Sequence, residues 1–195
     1  MVLATQLPKT SSDWSADGRY LLYTEHDQKT GNFDLWALPM DTRKPFPILQ
    51  TKFSERDARL SADGKWIAYQ SDESGRFEIY VQPFPGPGDR VQVSTDGGAQ
   101  VRWRRDGKEL FYMALDGRLM AVALKLSGDG HTLAPAAPVP LFAIHVPGGA
   151  VQPGGSRQQY DVSSDGQRFI VNTIVEEAAT SPITLILNWK PPVMK

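Results

Sequence analysis

The chain has 195 residues, 41% of them hydrophobic and 22% charged, which is enough to bury a core and unlike a disordered chain. A formal net charge of −1 supplies no global field for nucleic acid or an anionic membrane. The absence of cysteine excludes disulfide frameworks, thiolate metal sites and cysteine nucleophiles, while 17 glycines and 15 prolines favour short strands joined by turns.

In chain order, the N-terminal residues carry no basic segment and no sustained apolar run, so a signal peptide is not expected. Residues 2–7 read as a strand, because they align with residues 48–53, which precede the second repeat unit. Four segments then align with one another: residues 13–23, 59–69, 102–112 and 161–171. Each centres on an Asp-Gly pair, namely Asp17-Gly18, Asp63-Gly64, Asp106-Gly107 and Asp165-Gly166. The aspartates stand 46, 43 and 59 residues apart, two of these spacings close to a four-stranded propeller blade. Glycine supplies a positive φ and aspartate caps the turn, so each pair joins two strands of a hairpin. Recurrence at one turn assigns these eight residues a structural role. Calcium would need further carboxylates nearby, and Arg, Lys or Gln follows each glycine instead.

A third apolar run follows in every unit, at residues 33–38, 77–81, 118–122 and 183–187. The last of these is the longest apolar stretch and is too short to span a bilayer. A shorter fourth run lies at residues 47–49, 90–93 and 140–142, where proline suits an edge strand. Two irregular segments, residues 125–138 and 143–159, account for the long third spacing. Rich in glycine and proline, they are candidates either for functional loops or for mobile linkers. The expected fold is all-β: a propeller of four four-stranded blades at about residues 13–50, 57–94, 100–143 and 159–189. The outer strand at residues 2–7 would complete a blade in cis or in trans.

These Asp-Gly turns, each followed by an apolar and aromatic strand, resemble the TolB-type, WD40-like propeller repeat. Ala16, Ala62, Arg105 and Ser164 stand where that family usually has proline. Residues 160–189 are also similar to the last blade of the C-terminal propeller in some bacterial Ser/Thr protein kinases. The resemblance implies a binding module of a larger protein, with a protein or peptide partner and an extracytoplasmic setting. TolB-type blades are shaped for wider rings, so a homodimer closing an eight-bladed ring is expected ahead of closure in cis or an open fragment.

Aligning the inner strands gives a column of Asp13, Arg59, Arg102 and Asp161. It reads either as a polar ligand site at a channel mouth or as blade-to-blade ion pairs, Asp13 with Arg59 and Arg102 with Asp161. The next column, Trp14, Leu60, Trp103 and Val162, is expected in the core. Arg102, Arg104 and Arg105 form a basic cluster suited to an anion or simply to solvent. His26, His131 and His145 are expected in loops and lack metal spacing, so no metal or cofactor is expected. The acidic pairs Asp72-Glu73 and Glu176-Glu177 read as solvated loop residues. No Gly-x-Ser-x-Gly elbow, phosphate loop or kinase catalytic loop occurs, and Gly154-Gly155-Ser156 lacks the final glycine of an elbow. The expectation is a non-catalytic module. Its rivals are the propeller of a prolyl-oligopeptidase-like or glycoside-acting hydrolase, and a self-assembling half-propeller.

Overall fold

The computed structural model describes residues 6–86, 88–127, 132–151 and 158–173. Among the described residues the chain forms antiparallel strands and no helix. The first sheet runs in the order β1 (Lys9–Trp14), β2 (Tyr20–His26), β3 (Phe33–Pro39), β4 (Phe46–Leu49). The second repeats it with β5 (Glu55–Leu60), β6 (Trp66–Ser71), β7 (Glu78–Pro83) and β8 (Val91–Gln92). The third has β9 (Ala99–Trp103), β10 (Glu109–Met113) and β11 (Arg118–Leu126), with both β12 (Leu133–Pro135) and β13 (Val139–Ala143) paired to β11. β14 (Tyr160–Val162) and β15 (Phe169–Val171) form a fourth hairpin.

The Asp-Gly turns explain why these hairpins recur. Gly18, Gly64, Gly107 and Gly166 all have φ between 69° and 74°, a region that disfavours any side chain. In the second sheet the Ser61 hydroxyl donates to Asp63 Oδ1 at 2.6 Å, and the same oxygen accepts the Lys65 N–H at 3.1 Å. The Ser61 hydroxyl in turn accepts the Trp66 N–H at 3.0 Å. Ser15 with Asp17 and Ser163 with Asp165 repeat this arrangement. In the third sheet Arg104 replaces the serine and grips Asp106 through Nε at 2.8 Å and Nη2 at 2.9 Å.

Strand alternation then packs each sheet against both neighbours. Leu22, Leu35 and Ala37 of the first sheet meet Leu60, Ile67 and Tyr69 of the second. Ala68, Ile79 and Val81, from the opposite face of the second sheet, meet Val101, Leu110 and Tyr112 of the third. Ala99, Phe111 and Met113 meet Tyr160 and the partly buried Val162 and Phe169. Each fully buried large side chain contributes on the order of 1.5–3 kcal/mol, so these inter-sheet layers hold the fold together.

Four expectations need correction. Trp14 is not in the core but 54% exposed, whereas Leu60 is 8% exposed and Trp103 and Val162 pack against the clusters. The reason is positional. Leu60, Trp103 and Val162 pack toward the preceding sheet, and β1 belongs to the first. The segment at 125–138 is not irregular throughout: β11 runs long and β12 folds back on it. His26 ends strand β2 rather than lying in a loop, and its ring stacks on Phe33. β1 begins at Lys9 and β5 at Glu55. Gln6 and Leu7 lie in no strand. The rest of the expected outer strand, residues 2–5, the run at 183–187, His131, Gly154-Gly155-Ser156 and Glu176-Glu177 lie outside the described residues.

Candidate functional site: the inner-strand charges

The innermost strands β1, β5, β9 and β14 carry Asp13, Arg59, Arg102 and Asp161 at equivalent positions, and the structure brings these residues together in pairs. Arg59 Nη1 lies 3.5 Å from Asp13 Oδ1, and Asp13 Oδ2 accepts the Leu60 N–H at 2.8 Å. Asp13 thus joins two sheets by a charge contact and a backbone hydrogen bond. Arg102 Nε lies 3.2 Å from Asp161 Oδ1 and its Nη2 donates to the Tyr160 carbonyl at 3.3 Å. The Arg102 guanidinium also sits 5.6 Å from the centre of the Tyr160 ring, within cation–π range.

The two arginines are neighbours, and each turns to an aspartate on its far side. Burial, reinforced by the charge of Arg102, holds the Arg59 pKa below its usual value, and Asp13 opposes this. Arg59 Nε is buried without a hydrogen-bond partner among the described residues. Beside it is a small cavity of ≈ 80 Å³ lined by Ser11, Ser12, Arg56, Asp57, Arg59 and Gln158, among others. The Tyr160 hydroxyl is likewise buried without a partner among the described residues, and burial raises its pKa. Arg59 therefore offers a donor with spare capacity beside this cavity in a partly dry setting, where polar contacts count for more.

A backbone irregularity supports this face. Asp57 and Gln100, each two residues before the arginine of its strand, have φ of 60° and 56°. For non-glycine residues this left-handed conformation costs about 1–3 kcal/mol. Both sit where the pairing register slips, a bulge that re-aims the residues beyond it.

Two buried polar features carry no signature in the residue pattern. One is a chain of amides: Gln100 N–H donates to Gln70 Oε1 at 2.9 Å, and Gln100 Oε1 accepts the Gln159 N–H at 2.7 Å. Gln100 Nε2 donates to the Ala150 carbonyl at 2.7 Å. Gln100 thus ties the third sheet to the second through its backbone N–H and, through its side chain, to the segment that leads into the fourth. The other is Glu55, 1% exposed at the start of β5. Burial pushes its carboxyl up to about 7, a hydrogen bond from Thr51 opposes this, and the charges of Asp34, Asp72 and Glu73 add to it. Signals for either would have had to come from tertiary neighbours, because glutamine and glutamate usually face solvent.

The expected basic cluster is divided. Arg102 is buried on the inner face, Arg104 is bound to Asp106 and Glu109, and Arg105 is exposed. Among the described residues no cluster of acidic or histidine side chains could hold a metal.

The antiparallel sheets, their consecutive packing and the repeated inner-strand position define an all-β protein of the propeller class. No family model matches the sequence. A TolB structure from Acinetobacter baumannii superposes with a TM-score of 0.50 and 19% identity, over 85% of this chain and 43% of its own. A structure assigned as TolB from Agrobacterium tumefaciens gives a TM-score of 0.53 and 17% identity, over 70% of this chain and 51% of its own. The fold is a TolB-like β-propeller fold. In sequence, tricorn protease homolog 1 of Streptomyces coelicolor is 31% identical over 116 residues, covering 56% of this chain and 11% of the relative. The chain thus spans about a tenth of that relative and about half of each TolB structure.

Proposed function

We propose that the chain is a non-catalytic binding module that takes a protein, peptide or small ligand at the inner-strand mouth marked by Asp13, Arg59, Arg102 and Asp161. The observation that carries this is Arg59. Among the described residues its buried Nε has no partner beside the cavity, and an acceptor on a ligand would satisfy it. The resemblance to kinase-linked propellers supports a place in a larger multidomain protein such as a receptor-type Ser/Thr kinase. A second reading, a homodimer closing an eight-bladed ring, draws support from two exposed positions. Trp14 on the first sheet is 54% exposed and Ile170 on the fourth is 74% exposed, whereas their repeat equivalents Leu60 and Phe111 are buried between sheets.

The binding reading is tested by selecting ligands from a random peptide library on the whole chain. Synthetic copies of the selected peptides are then titrated against Arg59→Ala and Arg102→Lys. Peptides weakened about tenfold or more by Arg59→Ala are expected, the loss of one charge-assisted hydrogen bond. Selected peptides that bind both variants as they bind the native chain would overturn the proposed site.

A further inference from the structure

A larger cleft, ≈ 520 Å³, lies between the second and third sheets and is lined by the Asp-Gly turns of both. Ser61, Ala62 and Asp63 form one bank and residues 105–108 the other. Its apolar wall is Trp66, Leu124, Leu126 and Leu133. Three of these are nearly buried, at 8%, 7% and 5% exposure, while Leu126 stands 55% exposed at the rim.

This wall is built by a departure from the repeat. β11 has 9 residues against 7 in β3 and 6 in β7. The extra length pairs with β12, which sets Leu126 opposite Leu133. The sheet does not need β12 for its outer strand, because β13 pairs with Arg118–Ala121 of β11. Instead β12 reaches the neighbourhood of β8 in the second sheet, so the arm leans across the groove between sheets. An addition of this kind, beyond what the scaffold requires, is where binding surfaces tend to arise.

The charges on the banks are not equivalent. Asp106 is already paired with the Arg104 guanidinium, whereas Asp63 Oδ1 accepts only the Ser61 hydroxyl and the Lys65 backbone N–H and keeps its charge within the turn. Arg105 and Lys108 are exposed and form no ion pair among the described residues. Arg105 occupies the repeat position held by Ala16, Ala62 and Ser164 elsewhere, so its cation is peculiar to this groove. An apolar wall beside two unspent cations is complementary to a molecule with an apolar body and one acidic head. The volume lies within the roughly 300–1,000 Å³ of small-molecule sites.

We propose that this cleft binds an amphipathic monoanion, a medium-chain aliphatic carboxylate. Its chain lies along Trp66, Leu124, Leu126 and Leu133, and its carboxylate meets Arg105 and Lys108. The arginine fork suits the two carboxylate oxygens and the lysine adds a point charge.

The test is calorimetric titration of the full chain with sodium decanoate below its micellar concentration, with decanol as the uncharged counterpart. Saturable binding of decanoate at one site is expected. The double substitution Arg105→Ala with Lys108→Ala should weaken decanoate about tenfold or more and leave decanol unchanged. Leu126→Asp should weaken both. Leu141→Ser, on the exposed outer strand β13, should change neither and controls for adsorption to a surface patch. No saturable binding, equal affinity of the double variant for decanoate, or loss with Leu141→Ser would each overturn the proposal. Because the cleft and the inner-strand mouth share no lining residue, Arg59→Ala should leave decanoate binding intact.

Discussion

Replacing Glu55 by glutamine should make the variant-minus-native stability difference rise as the pH goes from acid to alkaline. Glu55 Oε1 accepts the Thr51 hydroxyl at 2.6 Å, while Oε2 is buried with no partner among the described residues. Burial raises the carboxyl from 4.5 to about 7 in the folded state. Below the unfolded value both states are protonated, and the group carries no electrostatic penalty. Between that value and about 7 the unfolded chain ionises while the folded one keeps its proton, so folding loses stability as pH rises. Above the folded value both are ionised and the full penalty stands. At about 1.4 kcal/mol per pKa unit, the shift corresponds to an upper bound of about 3 kcal/mol. Glutamine keeps the acceptor for Thr51 and has no charge to desolvate. Its unpaired amide N–H₂ costs about 1–3 kcal/mol, but equally at every pH. The quantity to measure is therefore the difference in unfolding free energy between variant and native chain, from urea melts followed by tryptophan fluorescence at pH 5 and pH 8. The turn aspartates titrate in both proteins and cancel. A variant-minus-native difference that rises by about 2–3 kcal/mol from the lower to the higher pH is expected. Parallel pH profiles would refute the assignment of Glu55 as a buried acid.

Two further outcomes follow, one from the packing and one from the proposed dimer. Gln100→Ala should destabilise the fold by about 2–4 kcal/mol in chemical melts, because it leaves the Gln159 N–H and the Ala150 carbonyl without their partner. A cost below about 0.5 kcal/mol would show that the amide chain does not bind the sheets together. Light scattering after size exclusion should give twice the chain mass of 21.6 kDa for the native protein and a single chain mass for Trp14→Ser. A native protein at the single mass would overturn the dimer.

Much of the scaffold was legible because the signals are local. A turn that needs positive φ selects glycine, and the preceding aspartate caps it, so each Asp-Gly pair located a hairpin without reference to the rest of the chain. The serine two positions before Asp17, Asp63 and Asp165 was equally visible, and its role became clear only as a hydroxyl relay within the turn. The inner-strand column was legible too, since equivalent positions in a repeat face the same way.

The long-range features were not legible. Trp14 and Trp103 occupy the same repeat position, yet one is exposed while the other donates its Nε1–H to the Arg59 carbonyl at 2.9 Å. What differs is the presence of a preceding sheet, which is a property of the packing and not of the residue. Gln100 and Glu55 have side chains that suit water, and they are buried because neighbouring sheets close over them. The arm of β11 and β12 looked like a loop, since β12 is a short strand that owes its pairing to the length of β11. The sequence by itself determined the all-β hairpin repeat and the residues that turn it. The tertiary structure decided which charges meet, which polar groups lose water and where a cleft opens, because those depend on how one sheet lies on the next.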